Sequence, residues 1–481
     1  MVSLQQDRIA QNNILFSSRN GFLLFLIVFN LIFFLLWNYT MDDAFITFKY
    51  ASNFADYFKP YYNLNSDFQG DGQTSFLWFI VLTIPFLLKI SPIIFYNIVN
   101  YCLSIVLLYT FSKNPLEISN QRWVNIIFKY FGGVFFSILL AINAKHGLET
   151  ILYIYVLFLL LKNWNSKNNL GTLFSVLIFL IRPEGIVFSG IYALSLWRNK
   201  KIFWKNAFIV AGSLALFIGY KIYFFNELIP LPFMFKSAVS LDKGDFVYFI
   251  LFTALFFPII FHSWKNKKYF YIFPLLFFLV YYAFGMERIM GTGYRFSFPL
   301  LAYLLIPIEN KLDKISVSKK YIKIFEIAYI GSFLIVMMAF FRVIFFEMNS
   351  IIEYTKGMEN AHIKIGKSLS KNPNSKIFVS DAGAIAYYSK ADCYDTFGLN
   401  DALFLKYRKD NNWKAYFNHA DKINADYLIL LSETPDVYTP KKELDFENKL
   451  YKHYNLHIKD LHIQRKFGDN YYVQVYNLKH L

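Results

Sequence analysis

The fold of this chain is decided by the stretch Met41-Asp42-Asp43-Ala44-Phe45-Ile46-Thr47-Phe48-Lys49-Tyr50, in which two adjacent carboxylates follow a long apolar run. The run, residues 21–38, is long enough to lie in a bilayer, so the acids are expected at a membrane surface. Behind them, small and aromatic residues recur every three or four positions, as in a helix. They are Ala44, Phe48, Ala51, Ala55 and Phe58. The stretch therefore predicts an acid pair at the start of a helix that lies on the membrane surface.

The composition indicates a polytopic membrane protein. Of the 481 residues, 56% are hydrophobic, 21% are aromatic and only 17% are charged, whereas soluble domains carry about 25% charged residues. The net charge of +16 comes from Lys and Arg that lie mostly in short loops between apolar runs. That distribution orients membrane proteins, and it argues against nucleic acid as a partner. The two cysteines, Cys102 and Cys393, lie in segments of different character and predict no disulfide.

Apolar runs that could cross a bilayer, for which about 20 residues are needed, recur along the first 346 residues. They lie at about 21–38, 75–89, 92–111, 125–142, 150–161, 171–197, 206–225, 246–261, 269–285, 296–308 and 324–346. Several are short, so we expect about 9–11 spans, some of them tilted or re-entrant. The run 171–197 suits one tilted span or two half-spans, and it contains the possible ion pair of Arg182 and Glu184 around the helix breaker Pro183.

The basic loops predict the orientation. Residues 198–201, 265–268 and 311–323 are rich in Lys and Arg and are placed in the cytoplasm. The first loop, about residues 40–74, and residues 347–481 then lie on the periplasmic side of an inner (cytoplasmic) membrane. Asp43 and Glu149 should share that side, yet three apolar runs separate them. Either one of these runs is re-entrant or two are fused.

Residues 347–481 differ from the membrane region, residues 1–346, because their apolar runs are shorter and charges return. Strands are expected at 376–380, 427–431, 462–466 and 472–476, the last two joined by a turn at Gly468. Helices are expected at 351–370 and 400–417. The fold class is thus a polytopic α-helical membrane protein with a C-terminal extracytoplasmic α/β domain of ordinary size.

The acid pair has two interpretations. Aspartate is favoured as a helix N-cap, where the helix dipole stabilises its charge, which explains one acid better than two. The second interpretation is a general base at the membrane surface that deprotonates a hydroxyl nucleophile.

Other polar residues on the same side have similar alternatives. Thr74 ends a turn-rich loop and is either a cap or part of a substrate site. His146 and Glu149 are either a cap or surface pair or, with Asp43, ligands of a divalent cation, although their spacing lacks a metal signature. Lys236 and Arg295 either extend to lipid headgroups or hold a phosphate, the arginine as a bidentate fork.

Short motifs in chain order resemble one family. They are Asp42 to Ala51, Tyr62-Asn63, Gly72 to Trp78, Gly147 to Thr150, Arg182 to Gly185, Leu228-Ile229-Pro230 with Lys236, Tyr294-Arg295-Phe296 with Pro299, Asp381 to Ser389 and Asp395 to Asp401. Together they resemble GT-C fold glycosyltransferases, and most closely the group of the mycobacterial terminal β-arabinofuranosyltransferase. Gly285 to Arg288 and Asn226-Glu227 depart from that group, which leaves the donor sugar open.

The resemblance implies a polyprenyl-phosphate-sugar donor and transfer by direct, inverting displacement to a hydroxyl of a cell-envelope glycan, a lipid or a protein. Asp42 would be the general base, Asp43 would orient the acceptor or a cation, and Lys236 and Arg295 would stabilise the leaving phosphate. Further residues of the motifs would bind substrate. They are Thr74, His146, Glu149, Arg182, Glu184, Asp381, Tyr387 and Tyr388.

Two other classes of protein fit a polytopic basic chain. A lipid or sugar transporter or flippase would have no transferase activity, but its polar residues should lie at mid-membrane and its halves should repeat. A non-catalytic surface protein would use the C-terminal domain for binding. Substitution of Asp42 should be silent in both.

Overall fold

The structure, a computed structural model, describes residues 18–66, 70–113, 122–164, 169–236, 243–285, 291–306, 319–469 and 471–479. Its first part is helical. The helices are α1 (Ser18–Leu35), α2 (Asp42–Tyr57), α3 (Phe76–Leu87), α4 (Pro92–Lys113), α5 (Arg122–Lys145), α6 (Thr150–Lys162), α7 (Leu170–Ile181), α8 (Ile186–Ser195), α9 (Lys200–Phe225), α10 (Leu231–Lys236), α11 (Lys243–Lys265), α12 (Tyr269–Phe284) and α13 (Lys319–Gly357), with 3-10 turns at Pro183–Gly185, Thr292–Tyr294 and Phe298–Leu305.

Three helices among the described residues are long and apolar enough to cross a membrane. They are Pro92–Lys113, Asn125–Lys145 and Lys200–Phe225. Shorter apolar helices of 10–17 residues, among them α1, α3 and α6, pack with them. The predicted polytopic helical fold is therefore confirmed.

Helix α3 resolves the uneven number of apolar runs between Asp43 and Glu149. It has 12 residues and contains Pro85, so it is about 18 Å long and cannot cross a core of about 30 Å. Helices α4 and α5, which follow, are both long enough to span. Because the backbone N–H of Met41 donates to the carbonyl of His146 at 3.1 Å, both ends of this segment lie at the same end of the bundle. The geometry agrees with the re-entrant alternative.

The run 171–197 forms two half-length helices rather than one tilted span. Helix α7 ends at Ile181, and α8 begins at Ile186 after the 3-10 turn Pro183–Gly185. The backbone of Gly185 lies so close to the carbonyl of Ile178 that a Cβ would be 2.4 Å from that oxygen. Glycine therefore lets the chain turn tightly, and the turn carries Arg182 and Glu184, whose side chains contact each other at 2.9 Å.

The C-terminal domain, which we define as residues 358–479, contains a five-stranded sheet of order β2-β1-β3-β5-β4. The strands are β1 (Lys376–Val379), β2 (Asp392–Asp395), β3 (Tyr427–Ser432), β4 (Leu461–Phe467) and β5 (Tyr471–Asn477), and the helices are α14 (Lys364–Leu369), α15 (Ala384–Ser389), α16 (Ala402–Lys409), α17 (Trp413–Ile423) and α18 (Asp445–His453). Strand β1 pairs in parallel with β2 and β3, whereas β5 is antiparallel to β3 and β4. The predicted C-terminal α/β fold is therefore confirmed.

All four expected strands occur within one residue of their predicted bounds, and β2 was not predicted. The helix expected at 351–370 is present but includes a π-helical turn at Met358–Ile363. The helical structure expected at 400–417 is present as α16 and the first part of α17. The two helices are separated at Asn411, whose φ is 52°, and the side chain of Asn412 caps α17.

Helix α2 packs directly against the C-terminal domain. One apolar core joins Phe45 and Phe48 of α2 to Ala384 and Ile385 of α15 and continues to one face of the sheet. A separate core fills the transmembrane bundle. The helix that begins with the acid pair therefore lies between the bundle and the C-terminal domain.

Candidate active site

A cleft opens between the bundle, the first loop and the C-terminal domain, and its empty volume of about 900 Å³ includes the part that is open to solvent. Its walls come from segments that are distant in the sequence. They are Asp43, Ile46, Thr47, Gly72, Gln73, Thr74, Ser75, Leu148, Glu149, Thr150, Arg182, Glu184, Pro232, Phe233, Tyr281, Arg295, Phe296 and Leu399. Six of the residues predicted for the site thus share one cavity. These are Asp43, Thr74, Glu149, Arg182, Glu184 and Arg295.

The two acids of the pair point to different places, because consecutive residues of a helix are separated by about 100° of rotation. Asp43 lines the cleft, and its Oδ2 lies 3.1 Å from Nη2 of Arg295. The side chain of Asp43 is 24% exposed, whereas that of Arg295 is only 7% exposed. The guanidinium of Arg295 also contacts Sδ of Met41 at 2.9 Å and lies 4.8 Å from the ring centroid of Phe296. Asp43 therefore faces the cavity beside a positioned cation.

Asp42 faces the C-terminal domain instead of the cleft. Its two carboxylate oxygens accept the backbone N–H groups of Gly383, at 3.0 Å, and Ala384, at 2.8 Å. A Cβ at Gly383 would lie 2.2 Å from the Asp42 carbonyl oxygen, so only glycine permits this approach. The interpretation of the pair as a cap of its own helix is wrong, since Met41 holds the N-cap position of α2. Asp42 instead fixes the start of α15, which lies more than 300 residues away.

His362 lies between two carboxylates beneath this contact. Its Nδ1 is 3.5 Å from Oδ1 of Asp42, and its Nε2 is 3.5 Å from Oδ2 of Asp381. Burial disfavours the charged imidazole, but the two carboxylates outweigh burial and raise the pKa of His362. Burial and the charge of Asp42 raise the pKa of Asp381, against the opposing effect of His362. A charged network therefore joins α2 to the C-terminal domain, and nothing in the sequence marked His362.

On the bundle side of the cleft, Arg182 is held by two carboxylates. Its Nε is 2.9 Å from Oε1 of Glu184 and 3.6 Å from Oε1 of Glu149. The guanidinium lies between the rings of Tyr153 and Phe296, at 5.6 and 5.5 Å from their centroids. These contacts satisfy the charge of Arg182 within the protein and shape the wall of the cleft.

The remaining wall joins the first loop to the C-terminal domain. A Cβ at Gly72 would lie 1.8 Å from Oδ1 of Asn400, so the two loops are in close contact. The hydroxyl of Tyr50 donates to the carbonyl of Gly70 at 2.7 Å and accepts from the N–H of Gly72 at 2.9 Å. This contact places Leu399, which the sequence did not single out, against the same cavity as Thr74.

Other predicted site residues lie outside the cleft. His146 is fully buried with its ring 5.8 Å from that of Tyr39, and burial, together with the charge of Arg295, lowers its pKa to about 3. Tyr387 and Tyr388 pack on the ring of Phe45 at 5.7 and 5.6 Å. Asp381 contacts His362, as described above. Neither His146 nor the tyrosines therefore face the cavity.

Two predictions fall wholly or partly outside the described residues. Lys236 ends helix α10, but its side chain is not described, although Pro232 and Phe233 of the same helix line the cleft. The departure at Gly285 to Arg288 lies mostly in residues 286–290, outside the described residues. For the possible divalent cation, the described residues contain no group of three His, Cys, Asp or Glu side chains arranged to hold a metal.

Comparison with known proteins confirms the fold. Residues 350–476 match a family described as a domain of unknown function (DUF8728), and no curated protein matches the sequence. The chain is similar to the crystal structure of ArnT from Cupriavidus metallidurans bound to undecaprenyl phosphate, with 10% sequence identity and a TM-score of 0.51. The match covers 94% of this chain and 97% of that chain, so the two share a fold over nearly their whole lengths. The predicted GT-C fold is thereby confirmed, and the likeness to the mycobacterial group stays a prediction.

Proposed function

We propose that this protein is a multi-pass inner-membrane glycosyltransferase that moves a sugar from a polyprenyl-phosphate donor to a hydroxyl of a cell-envelope glycan, lipid or protein. The observation that carries the proposal is the contact of Asp43 with Arg295 inside a cleft that the GT-C fold forms beside its membrane helices. A carboxylate can accept a proton, and a guanidinium can stabilise a phosphate. The fold is shared with a protein whose crystal structure contains undecaprenyl phosphate.

The reaction needs one base and one group that stabilises the leaving phosphate. The acceptor oxygen attacks the anomeric carbon, while the bond from that carbon to the phosphate oxygen breaks. The hydroxyl proton passes to Asp43, and polyprenyl phosphate leaves with its growing negative charge beside Arg295. A positioned general base contributes about 10²–10⁴-fold to the rate. Direct displacement inverts the configuration of the sugar.

We assign the base to Asp43 and not to Asp42, to which the resemblance gave this role. Both carboxylate oxygens of Asp42 accept backbone N–H groups, and its side chain is only 8% exposed. These contacts direct the carboxylate of Asp42 to the C-terminal domain, and it does not line the cleft. Asp43 lines the cavity and is three times as exposed.

We further propose that residues 1–346 form the transmembrane catalytic region and that residues 347–481 lie on the periplasmic side. The support is that Asp43 of the first loop and Leu399 of the C-terminal domain line one cleft. A donor held in the bilayer by its prenyl chain would present its sugar from below, and an acceptor would enter between Thr74 and Leu399.

The test is a mass-spectrometric assay of the full-length protein in nanodiscs with a panel of undecaprenyl-phosphate sugars. Wild type should release undecaprenyl phosphate in the presence of an acceptor, and Asp43→Asn should lose about 10²–10⁴-fold of this activity. The matched control is Asp445→Asn, an acid of α18 whose side chain is 65% exposed. Arg295→Ala should weaken donor binding, because a hydrogen bond to a charged group contributes about 1.5–3 kcal/mol.

Two results would contradict the proposal. Asp43→Asn with full turnover would exclude the base. A protein that moves lipid between leaflets without sugar transfer, and whose transport is unchanged in Asp43→Asn, would be a transporter or flippase instead.

A further inference from the structure

The two groups that would carry the reaction neutralise each other in the structure. Oδ2 of Asp43 contacts Nη2 of Arg295 at 3.1 Å. An adjacent guanidinium stabilises the ionised carboxylate and makes it a weaker base. The same contact uses part of the donor surface that a phosphate would need. Neither group is ready for its role while the pair is intact.

We propose that the phosphate of the donor displaces the Asp43 carboxylate from the guanidinium of Arg295, so that donor binding releases the base. This inference rests on the proposed function and adds its regulation. Arg295 is the partner that stays in place, because it is 7% exposed, contacts Sδ of Met41 and lies on the ring of Phe296. Asp43 is the partner that moves, since its side chain is short and faces the cavity.

The chemistry of the two anions favours the exchange. Asp43 contacts the guanidinium through Oδ2, which lies 3.1 Å from Nη2 of Arg295. A phosphate presents several oxygens and can bind a guanidinium through two parallel hydrogen bonds. The released carboxylate remains at the cleft, where the acceptor hydroxyl replaces the lost hydrogen bond.

The reaction itself then drives the exchange further. The donor is a phosphodiester with one negative charge, and the departing polyprenyl phosphate gains a second as the bond to the anomeric carbon breaks. Asp43 loses its negative charge in the same step, because it takes the proton of the acceptor hydroxyl. Both changes strengthen the contact of Arg295 with phosphate and weaken its contact with Asp43. The donor should therefore bind before the acceptor is activated.

Arg182 does not fit this role, although it lines the same cleft. Glu184 at 2.9 Å and Glu149 at 3.6 Å neutralise it, and two aromatic rings enclose its guanidinium. Among the described residues, an incoming phosphate would have to displace two carboxylates at Arg182 but one, Asp43, at Arg295.

The exchange predicts that Asp43 competes with phosphate, which can be measured without turnover. The probe is undecaprenyl phosphate, titrated into the full-length protein in nanodiscs. Asp43→Asn should bind it about three- to tenfold more tightly than wild type, because the competing carboxylate is removed. Asp43→Ser, a second variant without the carboxylate, should behave in the same way. Both variants should melt within a few degrees of wild type.

The matched control is Asp445→Asn, which removes one negative charge from an exposed position of α18 outside the cleft. It should change the affinity less than twofold. Equal tightening in Asp445→Asn and Asp43→Asn would show a general effect of charge and would overturn the exchange. So would unchanged affinity in both Asp43 variants.

The outcomes separate the inference from the proposed function. If Asp43→Asn abolishes turnover without a change in affinity for undecaprenyl phosphate, the glycosyltransferase assignment stands and only the exchange is refuted. If wild type does not bind undecaprenyl phosphate and turns over no lipid-linked sugar, both are refuted.

Discussion

Substitution of Asp42 by Asn should weaken the docking of the C-terminal domain more than it weakens the chemistry. The two carboxylate oxygens of Asp42 accept the N–H groups of Gly383 and Ala384 at 3.0 and 2.8 Å. Asn has the same size, but it offers only one acceptor oxygen. Its amide NH₂ would face the other backbone N–H, and it would no longer balance the charge of His362.

The size of the effect follows from these contacts. A hydrogen bond to a charged group contributes about 1.5–3 kcal/mol, and a buried donor left without a partner costs about 1–3 kcal/mol. Because one of the two bonds survives in neutral form, we expect the free energy of unfolding to fall by about 2–4 kcal/mol. Turnover should fall less than about tenfold, since Asp43 keeps its place as the base.

The assay measures thermal unfolding and release of undecaprenyl phosphate on the same nanodisc samples of wild type, Asp42→Asn and Asp43→Asn. Asp42→Asn should lower the Tm by several degrees, whereas Asp43→Asn should leave the Tm nearly unchanged and remove most of the turnover. The reverse pattern, with Asp42→Asn inactive at an unchanged Tm and Asp43→Asn active, would refute the assignment and return the role of base to Asp42.

Three further predictions concern the surroundings of the cleft. Glu447 is fully buried, and burial raises its pKa from 4.5 to about 8. The free energy of unfolding should therefore fall as the pH rises from 5 to 8, because the folded state holds the proton more tightly than the unfolded state. Glu447→Gln should remove this slope and stabilise the protein by up to about 4 kcal/mol at pH 7.5, measured by denaturant unfolding at several pH values. Gly72→Ala should displace the loop at Asn400 and lower both Tm and turnover, because its Cβ would overlap an oxygen at 1.8 Å, whereas Gly219→Ala, with nothing within 4 Å, should do neither. Arg182→Gln should lower the free energy of unfolding by about 3–5 kcal/mol, since two carboxylates would lose their cation, and an unchanged melting curve would count against this ion pair.

The periodic features of the chain could be predicted from the sequence because they depend on neighbours. The apolar runs, the strand-like runs of the C-terminal domain and the break at Pro183 are local patterns, and the strands and the break were found in their expected places. Strand β2 was missed because it begins and ends with the aspartates Asp392 and Asp395, which are rare in strands. Its pairing with β1 and the burial of three of its four residues outweigh that propensity.

The candidate site could be predicted only in part, for a geometric reason. The sequence identified Asp43, Thr74 and Arg295, which line the cleft, but it could not separate Asp43 from its neighbour. The contacts that separate them join Asp42 to residues more than 300 positions away, and no local pattern reports such a distance. Leu399 was missed for the same reason, since its place in the cleft depends on the contact of Asn400 with Gly72.

The two acids therefore have different roles, because their side chains contact different parts of the molecule. Asp42 joins the first turn of α2 to α15, while Asp43, one residue later, points into the cleft. Because a helix turns as a rigid unit, the contact of Asp42 with the C-terminal domain sets the rotation of α2 and so the direction of Asp43. Arg295 holds Asp43 from the bundle side. The base is thus positioned by the C-terminal domain and released by the donor, which explains why the acids are adjacent although only one of them reaches the cavity.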